Sequence, residues 1–213
     1  MNRKSIPSAM AILGILGAST LLVFTRRESR IELSPYLALG ATAAEQTIKL
    51  MGDKGQIVLV AQDTSEYEMP ALAAQLSAFQ KTARKKAKVT IDIDRINMDA
   101  MTTMATGGRI QAEQFFKILQ KHPKAGAIVL FFGFPHLTKR ELDALQQKVP
   151  KIIVVAAYRP DYLDFLERGL IDLAIVPRLD ALPETAKRPQ TLREWFDQEY
   201  VIVAPDTAAL SPR

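Results

Sequence analysis

Short apolar runs alternate with amphipathic stretches along most of this chain. The runs are rich in Val, Ile and Leu, which predicts buried β-strands. They cover residues 56–62, 125–132, 151–157, 173–176 and 200–204. A further run, residues 89–96, alternates apolar and polar side chains, which is typical of an edge strand. Residues 125–132 form the most apolar of these runs, so we expect that strand at the centre of a sheet.

Between these runs, apolar residues recur at the spacing of amphipathic helices. Ser34 followed by Pro35 is a typical helix start, with Ser34 as the capping residue. Thr138 and Glu141 have the spacing of a capping box. The predicted helices cover residues 34–51, 66–86, 109–122, 138–149, 160–170 and 192–198, and residues 97–108 predict a polar connection.

This alternation predicts an α/β doubly wound domain, because the strands are too apolar for a sheet with one face in water. Right-handed crossovers make such a sheet mainly parallel, with helices on both faces. We therefore predict a flavodoxin-like strand order 2-1-3-4-5 plus a sixth strand. The domain covers residues 55–205, residues 31–54 are interpreted as a linker helix, and residues 206–213 as a C-terminal tail.

The first thirty residues have a different pattern, because residues 6–24 contain no charged side chain. Basic residues flank this segment, with Arg3 and Lys4 before it and Arg26, Arg27 and Arg30 after it. At about 1.5 Å per residue, a helix of this length comes close to the ~30 Å of a bilayer's hydrocarbon core. We therefore interpret residues 1–30 as a single-pass transmembrane anchor that binds the lipid bilayer.

A cleaved secretory signal is the alternative interpretation of this segment. Such a signal has a shorter apolar core and a small-residue cleavage site. Here no clear A-x-A site follows the apolar segment, and Arg26 and Arg27 stand where the cleavage site would be expected. An uncleaved anchor is therefore the favoured interpretation. Gly14 and Ala18 form a small-xxx-small pair, which lets a second transmembrane helix approach closely. The alternative is a plain anchor in which these small residues face lipid.

Composition narrows the classes of function. The chain is 48% hydrophobic and 24% charged, and its formal net charge is +5. The cations that flank residues 6–24 account for much of this charge, so the remaining domain is near neutral and we predict no nucleic-acid binding. The chain has no cysteine, which excludes disulfides, thiolate metal sites and cysteine nucleophiles.

Three segments carry a family pattern. They are residues 55–62 (GQIVLVAQ) before a polar loop and a long helix, residues 111–119 (QAEQFFKIL) before 125–131 (AGAIVLF), and residues 151–157 (KIIVVAA). Together they resemble one lobe of the type I periplasmic binding proteins, the superfamily of sugar-binding proteins and LacI-type regulators. The resemblance covers about residues 55–178. That family closes two lobes around a small ligand, and the resemblance implies a bacterial inner-membrane protein whose domain lies on the periplasmic side.

Polar side chains follow several of the predicted strands. Asp63 and Thr64 follow the first strand, His136 follows the third, and Tyr158 and Arg159 follow the fourth. In a parallel sheet, ligands bind beyond the carboxyl ends of the strands, near the point where the strand order reverses. These five residues are therefore the candidate ligand-binding residues. The alternative is that Asp63 and Thr64 only cap turns and helices.

Known cofactor and catalytic motifs do not fit this sequence. The loop after the first strand has carboxylates, which repel an anion, and it has no glycine. We therefore expect no phosphate-binding site there. No dinucleotide fingerprint, P-loop or nucleophile elbow is present, and two distant histidines do not make a zinc site. We expect no catalytic residue, no cofactor and no metal. For Gly107 and Gly108 two interpretations remain open, an anion-binding nest and a flexible loop end.

Three functions are compatible with these observations. The leading hypothesis is a non-catalytic accessory subunit of a larger membrane protein complex, which binds the other subunits through its transmembrane helix and its α/β domain. The second is a membrane-tethered small-molecule binding or sensor module. The third is an enzyme with its site at Asp63, His136, Tyr158 and Arg159.

Overall fold

Six strands form one sheet in the order β2-β1-β3-β4-β5-β6. The computed structural model describes residues 31–145, 150–155, 162–179 and 188–205. Strands β1 to β5 run parallel to their neighbours, and β6 runs antiparallel to β5. The predicted order is therefore confirmed. The strands are β1 (Lys54–Gln62), β2 (Lys88–Ile96), β3 (Ala125–Leu130), β4 (Lys151–Val155), β5 (Leu173–Pro177) and β6 (Tyr200–Val203).

Helices cover both faces of this sheet. The described helices are α1 (Ser34–Met51), α2 (Pro70–Lys86), α3 (Ala100–Thr106), α4 (Ala112–Lys121), α5 (Lys139–Leu145), α6 (Tyr162–Glu167) and α7 (Leu192–Glu199). Buried side chains of α1, α2 and α7 pack on one face, and those of α4, α5 and α6 pack on the other. The result is three layers, with the sheet in the middle.

Strand β1 shows why the sequence pattern predicted this architecture. Val58 and Val60 lie in the core on the α4 side, and Ile57 and Leu59 lie in the core on the α1 and α2 side. Successive strand residues point to opposite faces, so a strand covered on both faces is continuously apolar. All four side chains are 0% exposed.

Helix α1, which the sequence led us to interpret as a linker, packs on the sheet as part of the α/β domain. Leu39 and Ala43 are 0% exposed and belong to the core on the α2 side. Gly40 meets α2 so closely that a Cβ atom there would lie 2.1 Å from the carbonyl oxygen of Gln75. From Leu33 onward the described residues form one compact unit.

Some helix ends differ from the predictions. Leu33, not Ser34, is the N-cap of α1, and its side chain makes no capping hydrogen bond. Helix α3 lies within the segment predicted as a polar connection. Its N-cap Asp99 accepts a hydrogen bond of 2.6 Å from the Thr102 N–H, and so short a helix leaves little apolar periodicity to detect.

The predicted capping box before α5 is present. The Thr138 N–H donates to Glu141 Oε2 at 2.7 Å, and the Glu141 N–H lies 3.4 Å from Thr138 Oγ1. The Thr138 hydroxyl also donates to Glu141 Oε2 at 2.7 Å, and this hydrogen bond and that from the Thr138 N–H hold the pKa of the Glu141 carboxyl below its usual value.

In the part of the chain that the structure describes, no helix is long and apolar enough to cross a membrane. The predicted span 6–24, its small residues Gly14 and Ala18, and the predicted tail 206–213 all lie outside the described residues. The membrane anchor therefore stays a prediction.

Candidate functional site

A cleft opens at the carboxyl ends of the parallel strands, where the strand order reverses between β1 and β3. Its volume is about 400 Å³. Gln62 at the end of β1, residues 131–134 after β3, and Val155 at the end of β4 line it. Tyr36 in the first turn of α1 and Ala71 in the first turn of α2 also belong to its wall. The cleft thus lies where doubly wound folds place their ligands.

Most side chains of this wall are apolar. Phe134 is 2% exposed, and its ring packs edge-to-face on Phe115 with centroids 5.4 Å apart. It also packs on Phe165 of α6, at 5.0 Å. Because these rings are fixed by the core, that part of the wall is formed before any ligand arrives. The apolar lining residues are Met69, Ala71, Leu72, Met98, Phe131, Phe132, Phe134, Val154, Val155, Phe165 and Ile171.

Gln62 connects two segments at the rim of the cleft. Its side-chain Nε2 donates to the Tyr67 hydroxyl, in the loop after β1. The same nitrogen lies 3.4 Å from the carbonyl oxygen of Met98, in the segment after β2. This amide is therefore used to hold the rim together.

Arg109 brings a positive charge into the cleft wall. Arg109 is 7% exposed, and its Nη1 contacts Nε2 of His136. The backbone places it there, because Arg109 forms a β-bridge with Gly133 just after β3. The Ile110 N–H donates to the Gly133 carbonyl at 3.1 Å, and the Gly133 N–H donates to the Gly108 carbonyl at 3.0 Å.

Two features of the backbone let this arginine approach. A Cβ atom at Gly133 would lie 2.8 Å from Arg109 Cγ, so the position favours glycine. Gly107 and Gly108 end α3 with φ angles of 61° and 75°. Their N–H groups donate to the carbonyls of Met104 and Thr103. These groups are therefore used in a helix C-cap rather than in an anion-binding nest.

Three of the five predicted ligand-binding residues are described. Asp63 forms a turn, since its Oδ1 accepts from the Ser65 N–H at 3.0 Å. Neither Asp63 nor Thr64 belongs to the described wall of the cleft, whereas His136 reaches it through Arg109. Tyr158 and Arg159 lie outside the described residues.

Sequence reasoning did not name Gln62 or Arg109 as site residues. Arg109 carries a signal that points to it, because it follows a Gly-Gly pair directly. The run Phe-Phe-Gly-Phe at residues 131–134, after the central strand, is the signal for the aromatic wall. Gln62 is the final residue of an apolar strand, and its position at the carboxyl end is its one indication.

Charged groups elsewhere in the described residues have structural roles. In that part of the chain, no group of three or more His, Asp or Glu side chains could hold a metal ion. The N–H of Thr102 lowers the pKa of Asp99, which caps α3 beside the cleft. Lys117, which lies 2.7 Å from Glu113 on α4, lowers the pKa of that carboxyl.

Several solved structures share this fold. An ABC transporter solute binding protein from Burkholderia graminis, in complex with D-arabinose, aligns with a TM-score of 0.56 and 16% identity over 83% of this chain and 62% of that one. AraP, an arabinose binding protein from Geobacillus stearothermophilus, aligns with a TM-score of 0.52 and 14% identity over 84% of this chain and 63% of that one. The XylFII-LytSN complex aligns with a TM-score of 0.52 and 16% identity over 80% of this chain and 60% of the matched chain.

These comparisons establish the fold. The chain spans less than two thirds of the length of each of these proteins. No protein-family model matches it, and no curated protein does. The domain therefore has the α/β architecture of the type I periplasmic binding proteins, as the sequence pattern predicted.

Proposed function

We propose that this chain is a non-catalytic small-molecule binding module, tethered to a bacterial inner membrane by residues 6–24 with its α/β domain in the periplasm. The cleft between the carboxyl ends of β1 and β3 carries this proposal. A preformed and mostly apolar cavity with a few fixed polar groups, at the switch point of an α/β sheet, is the usual form of a ligand site. The fold shared with solute-binding proteins supports it.

The described polar groups of the cleft support binding rather than catalysis. Gln62 is hydrogen-bonded to the rim, and the Arg109 guanidinium contacts His136. No hydrogen bond within the described residues joins Asp63 to His136, whereas nucleophilic or acid–base catalysis needs such groups within reach of each other.

The experiment is a ligand screen on the full chain with a variant that fills the cleft. Thermal unfolding is followed in mild detergent with a panel of sugars, nucleosides, amino acids and organic acids. Ala71→Trp places a large ring in the cleft wall at the start of α2. Ala73→Trp is the matched control, because Ala73 is exposed on the same helix and does not belong to the described wall.

We expect at least one compound class to raise the midpoint of unfolding, since a ligand that binds only the folded state stabilises it. That shift should persist in Ala73→Trp and disappear in Ala71→Trp. A panel without any stabilising compound would refute the proposal, and so would a shift that Ala71→Trp leaves unchanged.

A second candidate function is the accessory subunit of a membrane protein complex. Met101 and Met104 on α3 favour it, because they are 81% and 84% exposed. They lie three residues apart and so share one face of the helix. Flexible apolar side chains exposed together suit a protein partner, and their helix also contributes Thr103 to the cleft wall.

This candidate is tested by native purification in mild detergent. We expect the chain to migrate with a partner, and Met101→Glu with Met104→Glu to release that partner. Leu192→Glu is the control, because Leu192 is 45% exposed on α7. Gly14→Ile tests the transmembrane contact separately. Migration as a lone monomer from native membranes would rule this candidate out.

A further inference from the structure

Two methionines of α3 differ from the other methionines that the structure describes. Met101 and Met104 are 81% and 84% exposed. Met98, three residues before Met101, is 4% exposed and belongs to the core, and Met51 and Met69 are partly buried. A methionine side chain is apolar and is most often found inside a protein. Helix α3 therefore presents two thioether groups to solvent, shortly after a third that the core covers.

The exposed pair lies on a helix that borders the cleft. Residues three apart on a helix are neighbours, with Cβ atoms about 5–6 Å apart, so Met101 and Met104 share one face of α3. The same helix contributes Thr103 to the cleft wall, and Met69 and Met98 belong to that wall. Two exposed methionines and two less exposed ones are thus found at the same cleft.

The hydrogen bonds that hold α3 together, within the described residues, involve neither exposed thioether. Asp99 Oδ1 accepts from the Thr102 N–H at 2.6 Å at the start of the helix. The hydroxyls of Thr103 and Thr106 donate to the carbonyl oxygens of Asp99 and Thr102, each at 2.9 Å. A chemical change at the two methionine side chains should therefore leave the helix intact.

Exposure selects which methionine reacts with a two-electron oxidant such as hydrogen peroxide. The sulfur lone pair attacks one peroxide oxygen, a sulfur–oxygen bond forms, and the O–O bond breaks. The second oxygen leaves as water after it takes up the proton of the first. The thioether is thereby oxidised to a sulfoxide, and the peroxide is reduced. The product side chain is polar and chiral, whereas the thioether is apolar.

We propose that Met101 and Met104 are a reversible oxidation site beside the cleft, at which a peroxide converts both thioethers to sulfoxides while Met98 stays reduced. The modification changes the exposed face of α3 from apolar to polar, which weakens any apolar contact made there. Methionine sulfoxide reductases, one for each sulfoxide epimer, restore the thioethers. The inference goes beyond the proposed function, because it requires neither a ligand in the cleft nor a membrane anchor.

The test is a time course of oxidation of the full chain in lipid nanodiscs with dilute hydrogen peroxide. Trypsin cleavage after Arg95 and Arg109 places all three methionines of this region in one peptide, residues 96–109. Fragment ions of that peptide then locate each added oxygen. The chain has no cysteine, so no thiol competes for the peroxide.

We expect Met101 and Met104 to be oxidised about tenfold or more faster than Met98, because oxidation follows exposure and 81% and 84% compare with 4%. Treatment with both reductases should return the two residues to thioethers. In Met101→Leu with Met104→Leu, the peptide should take up one oxygen at the slow rate of Met98. Met98→Leu is the matched control, which should keep the fast uptake of two oxygens.

Oxidation of the chain in urea shows whether the fold causes the difference. All three methionines should then react at similar rates, because unfolding exposes Met98 as well. Similar rates in the folded chain would overturn the proposal, and so would a difference that persists in urea. Oxidation of only one residue of the pair, or sulfoxides that the two reductases do not repair, would also overturn it. The circular dichroism spectrum should stay unchanged after oxidation, and loss of the folded spectrum would contradict a reversible site.

Discussion

Gly40 provides a direct test of how helix α1 belongs to the domain. Gly40→Ala adds one methyl group inside α1, where it faces the backbone of α2. The new Cβ atom would lie 2.1 Å from the Gln75 carbonyl oxygen and 2.8 Å from its carbonyl carbon. Ordinary contact begins near 3.4 Å, so the two helices must separate by roughly 1 Å in a close-packed interior.

Two effects of opposite sign decide the outcome. Replacing glycine by alanine inside a helix favours the helix by about 1 kcal/mol. Overpacking a core costs about 1–3 kcal/mol, and the upper end applies because main-chain atoms cannot rotate away as a side chain does. We therefore expect Gly40→Ala to lower the free energy of unfolding by about 2 kcal/mol. For a domain of this size, that corresponds to a fall of about 4–8 °C in Tm.

Urea unfolding of the full chain in mild detergent, followed by far-ultraviolet circular dichroism, measures this change. Gly126→Ala is the matched control. A Cβ atom there would lie 2.9 Å from Met51 Cε, the mobile end of a long side chain, so its cost should be clearly smaller. If Gly40→Ala is as stable as the parent chain or more stable, α1 does not pack against α2 as described, and its interpretation as a linker would return.

Two further predictions concern buried and capping carboxylates. Asp94, whose side chain is 10% exposed, contacts Lys121 and lies 3.0 Å from His122 Nε2, so Asp94→Ala should lower the free energy of unfolding by about 1–3 kcal/mol. In the same urea titration Lys121→Ala should lower the free energy of unfolding by less than about 1 kcal/mol, because that side chain is 64% exposed. Equal losses of stability in Asp94→Ala and Lys121→Ala would contradict this prediction. Because the pKa of Asp99 is lowered, its cap stabilises α3 at pH values above 3.8, the ordinary pKa of an aspartate. This stabilisation is lost as the pH falls through the lower pKa of the folded state. The exchange rate of the Thr102 amide, divided by the intrinsic rate of an unprotected amide at the same pH, should therefore rise in acid. Asp99→Asn, which caps without titrating, should remove this pH dependence. The same pH dependence in both proteins would refute the prediction.

The sequence alone determined the strands and their order. Strands β1, β3, β4 and β5 are covered on both faces, so each one appears in the sequence as a continuous apolar run, such as residues 125–130 for β3. Alternation with helices then leaves few topologies, because parallel strands need crossover connections. The position of the cleft follows from that topology.

The membership of α1 in the domain was decided by tertiary structure. Apart from Leu39, its buried face consists of small residues, among them Ala38, Ala43 and Ala44. Such residues indicate a helix but do not reveal what the helix contacts. The close approach between Gly40 and Gln75 becomes visible only when α1 and α2 are placed side by side.

The cleft chemistry was also decided by tertiary structure. Arg109 and His136 are 27 residues apart in the chain and meet because the segment after α3 pairs with Gly133 after β3. Sequence patterns indicate local periodicity, and they do not indicate which loops of different β-α units contact each other. For this reason the sequence predicted the edge of the sheet where a ligand would bind, whereas the fold determined that an arginine and a wall of phenylalanine rings would meet it there.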